Sequence, residues 1–126
     1  MYLNRRDYEL LKKLHALFSA NQRFGGEVTF KTPVVTVTTT SHTASTDGPE
    51  IIFVDDDTAG AAVTIALPTA VGNSGLRKII KKVGNTATVT IDPSGSQTID
   101  GATTLAINTQ FESFHIASNG AGWYIL

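Results

Sequence analysis

Residues 86–91 read Thr-Ala-Thr-Val-Thr-Ile, a strict alternation of β-branched polar residues with apolar ones. Successive side chains of a strand point to opposite sides. This stretch therefore predicts a strand with Ala87, Val89 and Ile91 on a core and Thr86, Thr88 and Thr90 facing away. Turn residues bound it on both flanks: Gly84-Asn85 before it and Asp92-Pro93-Ser94-Gly95 after it.

The same grammar extends outward. Ile51 to Val54 is apolar on both faces and reads as a central strand. Ala61 to Leu67 places Val63, Ile65 and Leu67 on one face. Leu76 to Val83 mixes Ile79 and Ile80 with Arg77, Lys78, Lys81 and Lys82. Thr103 to Ile107, Phe111 to Ala117 and Trp123 to Leu126 complete the set. Further breaks fall at Asp57 to Gly60, Gly72 to Gly75, Asp100-Gly101 and Asn119-Gly120. Strands about ten residues apart with such turns predict an antiparallel β-sandwich or barrel over residues 49–126. Asp100-Gly101 is a tight-turn pair that would fix strand register. Trp123 reads as core, and losing a buried Trp costs about 3–5 kcal/mol.

Upstream, Glu27 to Lys31 and Val34 to Thr38 also alternate, with Pro33 between them. Thr38 to Gly48 is rich in Thr and Ser and reads as a loop or linker, so residues 26–48 form an extended arm. The first 25 residues follow a different period. Leu3, Leu10 and Leu17 recur every seven residues, Leu14 joins them, and Leu11 and Phe18 widen the stripe. With Asn4 as cap and Gly25-Gly26 as stop, the pattern predicts one N-terminal α-helix. Leu3, Leu10, Leu11, Leu14, Leu17 and Phe18 are the candidate residues for oligomerisation or anchoring. Packing onto the chain's own sheet is the competing reading.

Composition narrows the function classes. The 126 residues are one domain's worth, 41% are hydrophobic and 17% charged, and 18 are Thr, so a packed β body is within reach. Without cysteine, no disulfide or thiolate metal site is available. No apolar run approaches the roughly 20 residues that span a bilayer, and the charged N-terminus does not read as a signal peptide. The net charge of −1 divides unevenly. Residues 1–31 hold six bases and three acids (+3), and residues 32–126 hold four bases and eight acids (−4). A basic arm on an acidic body suggests different surroundings for the two ends, but it is no nucleic-acid footprint.

The pattern points away from an enzyme. His15, His42 and His115 are scattered, and Ser113 beside His115 lacks the orienting acid and oxyanion hole of a triad. Asp92 and Asp100 sit at turns without the fixed pairing that glycoside hydrolysis needs. Asp55-Asp56-Asp57 offers hard oxygen ligands, yet no calcium-loop spacing follows; Asp side chains capping a turn is the favoured reading. Arg77, Lys78, Lys81 and Lys82 lack interleaved aromatics for base stacking and read as lysine protection of an edge strand. Neither cofactor nor metal is expected.

From Ala61 onward the run AVTIALPTAVGNSGLRKIIKKVGNTATVTIDPSGSQTIDGATTLAINTQFESFHIASNGAGWYIL resembles a β module that recurs in bacteriophage tail fibres, tail-tip proteins and head fibre or decoration proteins. The order and spacing of its pieces carry the resemblance: VTIALP, the basic strand Gly75 to Val83, TVTI, QTIDG, Phe111 to Ser113 and the closing NGAGWYIL. It covers about half the chain, and residues 1–40 do not match. The resemblance implies a rigid, non-catalytic virion protein assembled as a homotrimer and contacting other virion proteins (capsid, portal or tail). The length suits a small head-decoration or cement protein, or a short fibre, knob or adaptor. The alternative is a receptor- or carbohydrate-binding module of a tail fibre, for which Tyr124 and Phe111 are the candidate exposed aromatics.

Overall fold

In the computed structural model the described residues are Glu9, Leu10, Lys12, Lys13 and residues 30–126. The chain divides into two compact units, residues 1–31 and 32–126. The second contains nine strands: β1 (Val34–Val37), β2 (Ser41–Thr43), β3 (Glu50–Val54), β4 (Val63–Ala66), β5 (Arg77–Lys82), β6 (Val89–Asp92), β7 (Leu105–Ile107), β8 (Ser113–Ser118) and β9 (Trp123–Ile125), with one helical turn, α1 (Asp56–Ala59).

The strands build two sheets, one ordered β1-β3-β5-β8-β9 and the other β2-β4-β6-β7. Consecutive strands alternate between the sheets through β6, so the chain winds around a common core. Each revolution adds one strand to each sheet. β1, β3 and β5 are therefore parallel neighbours, as are β2, β4 and β6. The winding then stops: β7 runs back along β6, β8 along β5, and β9 along β8, all antiparallel.

This architecture corrects the expected antiparallel sandwich or barrel. The body is mainly β and two-layered, but both sheets are mixed and neither closes into a barrel. Period-two alternation reports a half-buried strand and says nothing about the direction of its neighbour. Several turn signals that looked like hairpin loops are corners where the chain crosses between sheets. Gly84-Asn85, between β5 and β6, is one of them. Thr38 to Gly48, read as a loop or linker, contains strand β2. The expected N-terminal helix falls almost wholly outside the described residues. Glu9, Leu10, Lys12 and Lys13 are helical, no helix among the described residues reaches seven residues, and the rest of the predicted segment lies outside them. Of the anchoring stripe only Leu10 is described, and it is exposed; Leu3, Leu11, Leu14, Leu17 and Phe18 lie outside the described residues.

One core lies between the sheets. Ile52, Val54, Ile80, Ile116 and Trp123 come from the five-stranded sheet, and Val63, Ile65, Val89, Ile91 and Ile107 from the four-stranded one. Each sits in the alternation of its strand. Fully burying one aliphatic side chain contributes about 1.5–3 kcal/mol, so this layer is the main source of stability. Trp123, predicted as core, is 1% exposed. Asp100-Gly101 forms the expected tight turn, with both residues at positive φ (48° and 83°) and Ile99 bridged to Ala102.

Candidate functional site: two buried clasps and an apolar sheet face

The basic strand does not lie at an edge. β5 is the central strand of its sheet, and its inward side chains are Lys78, Ile80 and Lys82. Lys78 is 0% exposed and Lys82 1%. A buried ammonium must be paired and hydrogen-bonded to be tolerable, and both lysines are.

Lys82 places its Nζ 2.7 Å from Asp56 Oδ2 and donates to the Gly84 carbonyl at 2.9 Å. The same Asp56 oxygen accepts the backbone N–H of Thr86 at 2.8 Å and of Ala87 at 2.6 Å. Burial pushes the Asp56 carboxyl up, but the Lys82 ammonium and the N–H groups of Ala87 and Thr86 outweigh it and hold the group below its ordinary value. The geometry also explains Gly84. A Cβ there would stand 2.5 Å from Asp56 Oδ1 and 2.7 Å from the backbone nitrogen of Asp57. Neighbouring Asp57 accepts from the Asn85 N–H at 2.8 Å and from the Thr86 hydroxyl. Asp55 caps α1, accepting from Thr58 N and Thr58 Oγ1, as the capping reading expected. The hydrogen bonds from the Thr58 side chain and backbone lower its carboxyl from the ordinary value.

At the other end of β5, Lys78 donates to the Gly48 carbonyl at 2.8 Å and to Glu50 Oε1 at 3.2 Å. Glu50 is its direct neighbour on β3 and also accepts the Ser45 N–H at 3.1 Å. Each clasp ties the third revolution of the chain to the second. The four basic residues are thus divided by strand alternation. Lys78 and Lys82 are internal cross-links, and Arg77 and Lys81 stand on the outer face. Edge protection, as read from the sequence, is corrected accordingly.

That outer face is the second feature. Register aligns Val34, Ile51, Ile79 and His115 in one row, and Thr36, Phe53, Lys81 and Ser113 in the next. Arg77, Ala117 and Tyr124 make a third. Leu126 extends the first, its N–H donating to the His115 carbonyl at 2.7 Å. Phe111 adds its ring beside Lys81, whose Nζ is 5.9 Å from the ring centre. Val34, Phe111, Tyr124 and Leu126 are each about half exposed or more. The outer face of the four-stranded sheet is different in kind. Ser41, Thr64, Thr90 and Ala106 form one row and Thr43, Ala66 and Asp92 another.

A shallow pocket of about 170 Å³ opens where Thr32, Pro49, Glu50, Arg77, Ile79 and His115 meet. It assembles no reacting set. Glu50 Oε1 is engaged by Lys78, and among the described residues no carboxylate bonds a histidine. Ser113 and His115 share a face without a hydrogen bond between their side chains. Asp92 lies on the outer face of one sheet, whereas Asp100 sits in its turn and accepts the Ile125 N–H at 3.1 Å. No group of three or more His, Asp or Glu among the described residues could hold a metal ion. His15 lies outside them; His42 stands on β2, in register with Ile65.

The sequence reading missed Glu50 and Asp56 as partners of the lysines, and missed the extent of the apolar face. The signal for the face was present in Ile51 to Val54, apolar on both sides. No protein-family model and no characterised protein matches the chain.

Proposed function

We propose that the chain is a non-catalytic structural module of a bacteriophage particle, working as a rigid β body within a homo-oligomer and in contact with other virion proteins. The observation that carries this reading is the use made of the buried ionisable groups. Lys78, Lys82, Glu50 and Asp56 cross-link successive revolutions of the chain instead of converging on a cleft. Such groups specify a rigid arrangement, which suits a load-bearing part. The sequence resemblance to phage fibre and decoration modules supplies the particle and the trimeric state. The leucine-bearing residues 1–25 supply attachment, and their charge favours docking on an acidic capsid or portal surface.

Immunogold labelling of purified particles with an antibody against the chain tests the proposal. Regular labelling of the head or tail is expected; unlabelled particles would refute it. A second reading, a receptor- or carbohydrate-binding module, draws on one observation. Phe111 and Tyr124, the two aromatics singled out in the sequence, are 59% and 48% exposed on the same side of the sheet. A glycan array decides it: binding lost in Tyr124→Ala and Phe111→Ala supports that reading, and an array without hits removes it.

A further inference from the structure

The two outer faces are complementary to each other. One is broad, apolar and cationic, with Val34, Ile51, Phe53, Ile79 and Tyr124 around Arg77 and Lys81. The other is built of Ser, Thr and Ala, with Asp92 as its single charge. Arg77 is exposed, and neither it nor the exposed Asp92 has an ion-pair partner among the described residues. The remaining lysines of the basic strand are spent on the clasps. Arg77 and Lys81 are therefore the cations that residues 32–126 present outward, and both stand on the apolar face. Apolar patches of this kind mark association surfaces.

We propose that the apolar face of the five-stranded sheet docks on the Thr-rich face of the four-stranded sheet of a second copy, with Arg77 set against Asp92. This rests on the reading of the chain as an assembled module and names the surface that assembles it. Docking a face on itself would oppose Arg77 and Lys81 with their own copies. Docking it on the other side opposes cation and carboxylate and seats large side chains on small ones. The contact is heterologous, so it propagates as a ring or a stack according to the rotation per step.

Light scattering on the full chain tests this, with Arg77→Glu, Asp92→Arg and the double charge swap compared at equal concentration. The unaltered chain should be heavier than a monomer and should associate more weakly as salt rises. Each single reversal should weaken association by about tenfold or more, and the swap should restore it. A monomeric unaltered chain overturns the proposal, including the case in which its own residues 1–29 cover the face. So does association that ignores salt or either single reversal, or a swap that restores nothing. Particle labelling is independent: a labelled particle with a monomeric chain sinks this interface and the homo-oligomer, and leaves the chain's place on the particle standing.

Discussion

The two lysine clasps occupy the same strand and the same face, four residues apart, yet they are not equivalent. At the Lys82 end the ammonium and Asp56 are both withdrawn from water, and the carboxylate oxygen is held by the lysine and two backbone N–H groups. At the Lys78 end, Glu50 keeps 11% of its side chain exposed, its contact to the lysine is longer, and one N–H completes it. A buried pair is worth what its network makes it. The first clasp has no access to water if broken; the second can rehydrate. Removing one partner of a fully buried pair leaves an uncompensated charge, whereas a pair near water loses only a modest hydrogen bond.

Several measurements sharpen or break that contrast. Lys82→Met, which keeps the stem and deletes the charge, should cost about 3–5 kcal/mol of unfolding free energy in urea titration. Adding Asp56→Leu should recover part of it, but not all, because the Thr86 and Ala87 N–H groups would lose their acceptor. Gly84→Ala should cost about 1–3 kcal/mol by forcing Asp56 and the Asp57 backbone apart. Lys78→Met should fall in the range of about 1–3 kcal/mol and clearly below Lys82→Met. Equal losses at the two lysines would abolish the contrast. The smallest effect is in pH. Asp56 titrates below its unfolded value of about 3.9, so its contribution is fully present above that pH and is lost as pH falls through the lower folded value. Asp56→Asn should flatten the acid limb of the stability curve, measured by urea titration at stepped pH; an unchanged acid limb would remove this contribution.

Much of the layer structure was legible. Val63 and Ile65, Val89 and Ile91, and Ile52 and Val54 are all buried in register, as alternation requires. Strand direction was not legible, because a strand buried on one side reads alike whether its neighbour runs with it or against it. The winding also left no repeat. Val34, Ile51 and Ile79 stand side by side, yet 17 and 28 residues separate them, since the corners differ in length. The clasps were hidden for a related reason. Arg77 to Lys82 places basic and apolar residues on both faces, so composition alone cannot say which lysines go inside. Asp55, Asp56 and Asp57 look equivalent in sequence, and only the capping turn at α1 turns the middle one inward. The apolar outer face needed register to become visible, because Val34, Ile51, Ile79 and Leu126 are scattered over most of the body.

The reversal of direction after β6 gives the body two unlike ends. Among the described residues, β1 and β2 are the edges where the winding begins, whereas β7 and β9 are the edges left by strands that run counter to it and terminate it. The antiparallel strands act as a stopper on a thread. Extra turns inserted ahead of β5 would add a strand to each sheet while leaving the antiparallel end unchanged, so the number of revolutions and the way they terminate are set by separate parts of the chain.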